Sequence, residues 1–290
     1  MKTLQESEGG TMGNNLKQIQ TLFDLSGKIA VVTGGGGILL GTISKALGQA
    51  GVKVAILDLV PEAARGVASE IVSTGGEAIS VKCDVLDKTS LEEARWTVLE
   101  KFGRLDILIN GAGGNKKEAT TRSDLSFFDM APKAVQSVFD LNFMGTLLPC
   151  QIFGSVLARQ GEGTILNISS INTFRPLTKI PAYAAAKAAV SNFTQWLAVH
   201  MSQEYSPSIR VNAIAPGFFL TEQNRFLLTD EATGNLTPRG KTIIDHTPMA
   251  RFGSPEDLIS TEFWLLSPGA AFVHGTVVAV DGGFSAFSGV

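Results

Sequence analysis

The stretch from Lys28 to Asp58 constrains the fold more than any other. Lys28-Ile-Ala-Val-Val-Thr33 is a short, β-branched apolar run, the pattern of a strand buried on both faces of a parallel sheet. It runs into Gly34-Gly-Gly-Gly37, a helical stretch follows over Thr42–Ala50, and a second strand, Val52–Leu57, stops at Asp58. Such a unit suits a dinucleotide for physical reasons. Glycines let the backbone approach a pyrophosphate, and a helix N-terminus offers free N–H groups. An acid ending the second strand accepts hydrogen bonds from ribose hydroxyls. The same turn without a ligand is only a tight strand-to-helix connection, so the remainder of the chain has to decide.

The alternation continues. Strands are expected at Ala78–Lys82, Leu105–Ile109, Gly163–Ile168, Ile209–Ile214 and Gly275–Val280. Helical patterns cover Leu91–Phe102, Pro132–Arg159, Pro181–Gln203 and Pro255–Leu266. Strands alternating with helices predict an α/β fold, a doubly wound Rossmann-type parallel sheet of seven strands in a single domain. Residues 1–24 read as a flexible lead-in and 25–290 as the dinucleotide-binding catalytic domain. An insertion over about 218–252, before the last helix, is too long for a simple connection and reads as a helical lid. Ligands of such sheets sit at the carboxyl ends of strands. Gly34–Gly37, Asp58, Asp84, Asn110–Gly113, Ser169–Ser170 and Pro216–Gly217 all fall at such ends.

Composition narrows the function classes. A net charge of −3 with no basic run leaves nucleic acid binding without an electrostatic footprint. Apolar runs are broken by Gly, Pro or charge, so no membrane span is expected, and residues 1–20 lack a signal core. Cys83 and Cys150 sit in apolar contexts with no metal-type pairing, which fits buried thiols in a reducing, cytoplasmic compartment.

Pro181-Ala-Tyr-Ala-Ala-Ala-Lys187 carries the chemistry. Its alanines favour a helix, Pro181 can start one, and Tyr183 and Lys187 then share one face a turn apart. A phenol titrates near 10 and a neighbouring cation favours its anion. An ordinary exposed Tyr–Lys pair would have the same spacing.

Together these motifs resemble the short-chain dehydrogenase/reductase family: Thr33-Gly34 with its glycines, Asp84-Val85, Asn110-Gly-Ala-Gly113, Asn142, Ser170, Tyr183 with Lys187, and Pro216-Gly217 with Thr221. Ser170 lies 13 residues before Tyr183, as the family pattern requires. Two departures stand out. Ile38 and Leu40 occupy positions that are usually glycine, and Gly111 stands where the family has a second Asn. Four loop stretches, at 33–37, 110–115, 174–181 and 215–226, are similar to the family's D-mannonate oxidoreductase (fructuronate reductase) type. That similarity implies a sugar-acid substrate, interconversion of D-mannonate and D-fructuronate, and a homotetramer.

Hydride transfer to a nicotinamide needs an acid/base, here Tyr183, whose pKa must fall from about 10 toward neutrality, a matter of about 4 kcal/mol. Lys187 supplies positive charge and meets the nicotinamide ribose. Ser170 binds the substrate oxygen, and Asn142 holds a water against Lys187. Cofactor contacts are expected from Gly34, Gly36, Gly37, Ile38, Leu39, Asp58, Asp84, Val85, Asn110, Gly111, Ala112, Gly113, Tyr183, Lys187, Pro216, Gly217, Phe218, Phe219 and Thr221. Asp58 repels a 2′-phosphate, and Leu57, Leu59 and Val60 offer no cation for one, so NAD is expected over NADP. A sugar acid also needs a cation and polar partners. Asn115, Asn172, Arg175, Lys179, Gln223, Asn224 and Arg225 flank Ser170 and Tyr183 on loops, with Arg175 or Arg225 as the candidate carboxylate clamp. A polyol, gluconate or 3-oxoacyl reductase, or a non-catalytic dinucleotide sensor, would share the fold. The sensor would be expected to lack Tyr183, Lys187 or Ser170.

Overall fold

The computed structural model describes residues 17–220, 225–230 and 233–289. Seven strands form one parallel sheet in the order β3-β2-β1-β4-β5-β6-β7. They are β1 (Ile29–Thr33), β2 (Lys53–Asp58), β3 (Ala78–Lys82), β4 (Ile107–Asn110), β5 (Gly163–Ile168), β6 (Ile209–Pro216) and β7 (Val277–Val280). Strand order reverses at β1, between β2 and β4. Thr33 is in register with both Leu57 of β2 and Asn110 of β4, so the three strands end level and their turns open into one crevice.

The sheet is buried on both faces because every residue of β1 is apolar or small. Ala30 and Val32 join the core beneath the helix Ile38–Gln49, and Val31 points into the opposite core with Leu91 and Phe153. This is the period-2 alternation of a strand, spent on two cores instead of a core and solvent.

Three departures from the expected elements have physical causes. Pro61–Ser73 forms a helix beyond the expected ones, started by Pro61. Residues 17–22, inside the expected lead-in, are helical and exposed. The continuous helix expected over Pro132–Arg159 is broken into Pro132–Phe139 and Gly145–Gln160 by a π turn at Asp140–Met144. Within that turn the Asn142 amide donates to Val138 O at 2.8 Å, inserting a side chain into the helical ladder. Pro132–Gln160 is long and apolar enough to cross a membrane by length and composition. In the fold it is a core element, with Phe153 and Leu157 fully buried beside the sheet.

The segment between β6 and the last helix, Ile259–Leu266, carries two short helices, Arg225–Leu228 and Pro238–Asp245. They pack closely: a Cβ at Gly240 would lie 2.1 Å from Leu228 O.

Glu262, on the last helix, is 0 % exposed, and neither carboxylate oxygen has a hydrogen-bond partner. Burial pushes its carboxyl well above the usual range, so the folded state keeps a proton that the unfolded state releases. The contribution is therefore least harmful below the ordinary carboxylate value of 4.5 and turns against folding as pH rises above it. Glu262→Leu is expected to stabilise the protein by about 1–3 kcal/mol at neutral pH and to flatten that decline. Thermal unfolding across pH checks both, and an unchanged or lower Tm at neutral pH contradicts them.

Candidate active site

A cleft of about 610 Å³ runs along the strand ends at the β1/β4 reversal. Its floor is the glycine turn. Gly34 has φ +65°, and a Cβ there would lie 2.9 Å from the Ala112 backbone. Gly37 is the N-cap of the helix that begins at Ile38, and no side chain caps it. The first N–H groups of that helix therefore face the cleft without a capping oxygen, which suits a pyrophosphate. Asp58 is already oriented: Oδ2 accepts from Gly36 N at 3.0 Å and Oδ1 from Val60 N at 2.9 Å. Asp84, Val85, Gly111, Ala112, Gly113, Pro216, Gly217, Phe218 and Phe219 complete the walls. An uncapped helix, a turn with no room for side chains, and an acid fixed at the end of β2 fit a dinucleotide.

Not every expected contact faces this cleft. Asn110 is 1 % exposed, and its amide is committed to Asn167 Oδ1 at 2.9 Å and Cys150 Sγ at 3.1 Å. Its side chain ties β4 to β5 and leaves the cleft wall to the residues after it. Thr221, Gln223 and Asn224 lie outside the described residues.

The cleft ends at the Tyr183 centre. Ser170 and Tyr183 both line it, and the Ser170 hydroxyl favours the phenol's anionic form. Ser170 Oγ also accepts from Asn172 Nδ2 at 3.0 Å, which aims the hydroxyl. Asn172 is 5 % exposed, and its Oδ1 accepts from Leu177 N at 3.1 Å. It is thus a support for Ser170, whereas its sequence position suggested a substrate contact. Lys187 is 4 % exposed, with Nζ 5.8 Å from the Tyr183 ring centroid and donating to Ile168 O at 2.7 Å. Asn142 Oδ1 accepts from Gly114 N at 3.1 Å and its amide donates to Gly114 O at 2.7 Å, clamping the β4 loop beside Lys187. A Cβ at Gly113 would meet Asn142 Oδ1 at 2.7 Å and Lys187 Nζ at 3.3 Å.

Electrostatics correct the simple i,i+4 picture. Burial pushes the Tyr183 phenol above its usual value, with the Ser170 hydrogen bond opposing. Burial also pushes Lys187 down to about 8. The helix alone therefore does not acidify the phenol.

Arg175, a candidate carboxylate clamp, instead donates Nε to Ser285 O at 2.8 Å and holds the C-terminal tail. Phe284 packs edge-on against Phe218 with centroids 5.1 Å apart, and Phe287 lies 6.3 Å from the His246 ring. The tail thus packs on its own chain. Arg225 is exposed on its short helix, and Asn115 and Lys179 line a separate cavity treated below.

A sequence model of a family described as enoyl-(acyl carrier protein) reductase matches residues 41–285. The chain belongs to the short-chain dehydrogenase/reductase family. An uncharacterized oxidoreductase, UxuB, of Bacillus subtilis is 47 % identical over 276 residues, covering 92 % of this chain and 98 % of that protein. A solved structure with NAD bound, from Haemophilus influenza and provisionally named a D-mannonate oxidoreductase, superposes with a TM-score of 0.86. It is 46 % identical, and the match covers 92 % of this chain and 98 % of that one. The 7alpha-hydroxysteroid dehydrogenase of Escherichia coli is 30 % identical over 259 residues, covering 89 % of this chain and 94 % of that protein.

This dehydrogenase departs from the family pattern at two places that turn out to touch. A Cβ at Gly111 would lie 2.4 Å from Leu40 Cγ and 2.8 Å from both of its methyl carbons. Leu40, where the family has Gly, fills the space an Asn at 111 would need. Leu40 and Gly111 are thus sterically coupled, Ile38 is not part of that contact, and the turn keeps Gly34, Gly36 and Gly37. Gly111→Asn alone is expected to cost about 1–3 kcal/mol by overpacking, and the Leu40→Gly, Gly111→Asn double variant to lose clearly less than the sum of the two single variants. Additive losses in a double-mutant cycle, read by thermal unfolding, contradict the coupling.

Proposed function

We propose that this dehydrogenase uses NAD to interconvert a sugar acid and its keto form, with D-mannonate and D-fructuronate as the pair. The observation that carries the substrate is the 46 % identity, over nearly the whole chain, to the NAD-bound protein provisionally named a D-mannonate oxidoreductase. The cofactor is NAD: Asp58 is fixed where a 2′-phosphate would sit, and Leu59 and Val60 supply no cation.

NAD, which the Gly34–Gly37 turn and Asp58 would hold in the cleft, would supply the hydride acceptor for the alcohol and, as NADH, the hydride donor for the ketone. The chain's own residues handle the oxygen and its proton. Tyr183 takes the hydroxyl proton in oxidation and returns it in reduction. Ser170, aimed by Asn172, hydrogen-bonds the same oxygen and steadies its developing charge. Lys187 holds positive charge beneath the phenol and offers its ammonium to the ribose. Asn142 keeps the π turn and the Gly113–Gly114 loop in place, so that Lys187 meets an uncluttered wall.

A 3-oxoacyl or gluconate reductase is the second reading, supported by the acyl-carrier reductase description of the matching family. NADH oxidation with D-fructuronate, set against other keto-sugar acids and a 3-oxoacyl thioester, separates them. D-Fructuronate is expected to be turned over with the highest kcat/KM, and a higher value for the thioester sinks the sugar-acid reading. A homotetramer in the cytoplasm goes with this reading. The half-exposed Trp196 and Tyr205 beside His200 on the Tyr183 helix support self-association, and light scattering measures it.

A further inference from the structure

Beside the catalytic centre lies a second cavity, of about 770 Å³, that shares no lining residue with the dinucleotide cleft. Its walls come from the loop after β4, the loop before the Tyr183 helix, and the helix Pro238–Asp245 of the insertion. Two of these walls are tied together, because Thr121 N donates to Lys179 O at 2.8 Å. They are also close in sequence to the chemistry. Asn115 follows the Gly113–Gly114 segment that Asn142 clamps, and Ile180 is the N-cap of the helix bearing Tyr183.

In a chain of net charge −3, this cavity is cationic. Lys116, Lys117, Arg122, Lys179 and Arg239 line it, against Glu118 and Asp124. Asp124 is already occupied by Arg122 at 2.6 Å. Among the described residues, Lys116, Lys117, Lys179 and Arg239 have no ion-pair partner, which leaves one acid facing four cations. Lys179 holds a left-handed φ of +75°, a conformation costly for a side chain with a Cβ. Arg239 comes from the insertion, on the helix Pro238–Asp245, and Lys179 from the loop before the Tyr183 helix.

We infer that this cavity receives the anionic end of the substrate, with Lys179 and Arg239 as its principal cations. The inference rests on the sugar-acid reading above and names the residues that make the acid preferred. Arg175 lines neither this cavity nor the strand-end cleft, and its Nε braces the tail at Ser285.

The test measures binding calorimetrically to the NADH-loaded enzyme, separately from turnover. The probes are D-mannonate, the uncharged polyol D-mannitol, and inorganic phosphate. Wild type is expected to prefer D-mannonate over D-mannitol by at least about tenfold, and to bind phosphate more weakly than D-mannonate. Lys179→Asn with Arg239→Gln is expected to abolish that preference while leaving NADH affinity intact, which also reports correct folding; Asn tolerates the left-handed backbone. A double variant that keeps the wild-type preference overturns the inference, as does phosphate binding as tightly as D-mannonate. Cation-dependent D-mannonate binding without turnover would refute the reaction and leave this site standing. Turnover with an unchanged KM in the double variant would do the reverse.

Discussion

A Tyr183→Phe enzyme is expected to lose about three orders of magnitude in turnover while binding NADH within about twofold of wild type. The asymmetry follows from the geometry. In the proposed reaction the phenol works beside Ser170 on the substrate oxygen, whereas the glycine turn, the uncapped helix and Asp58, the features suited to a dinucleotide, lie elsewhere in the cleft. Stopped-flow NADH binding beside steady-state rates separates the two effects, and near-wild-type turnover removes Tyr183 from the acid/base role. The pH profile adds a second readout. Burial raises the phenol and lowers Lys187 to about 8, so the pair works only while Lys187 keeps its charge. For alcohol oxidation the base form of Tyr183 is needed, and a cation nearby lowers the pH at which it appears. Lys187→Met should therefore move the acidic limb of kcat/KM to higher pH as well as lower its plateau. A limb that stays in place means Lys187 does not tune the phenol.

Asp58→Ala is expected to raise KM for NADH by about ten- to a hundredfold, the loss of charge-assisted hydrogen bonds to the ribose. It should also narrow the preference over NADPH by removing the negative charge. Asp58 Oδ2 also braces Gly36 N, and a Cβ at Gly36 would lie 2.9 Å from that oxygen and 2.7 Å from Ala63 Cβ. Part of the effect is therefore on the turn itself. Asp58→Asn separates the two: it keeps a carbonyl oxygen for Gly36 N but drops the charge. If Asp58→Asn retains the wild-type ratio of NADH to NADPH efficiency, charge does not set cofactor choice.

The insertion and the C-terminal tail tie the substrate side together. Arg175 holds the tail at Ser285, the tail presses Phe284 on Phe218, and Phe218 belongs to the cofactor cleft. A substitution at Arg175 therefore reaches the cleft wall at Phe218 through packing. An effect on KM at that position is not by itself a sign of carboxylate binding.

What the sequence determined by itself was local or periodic. The β-branched runs ending in glycine or an acid set the seven strands and the face on which their ends open. The spacing of Ser170, Tyr183 and Lys187 put forward the proposed reactive centre, because a helix converts a four-residue interval into one face. Contacts between segments distant in the chain were decided only by the tertiary structure. Leu40 and Gly111 read as two separate anomalies until the sheet set β1 beside β4, where one side chain fills the other's space. Asn110 and Asn172 have the composition of ligand contacts, but burial spends their amides on Asn167 and Ser170. Lys179 and Arg239 are 60 positions apart, and each alone reads as a solvated cation. The fold lines one cavity with both, because the insertion comes back over the loop that leads into the Tyr183 helix. Periodicity reports which way a residue faces along its own element. It carries no information on which distant element it will meet, and there the burial of a polar group or the convergence of charges decides its role.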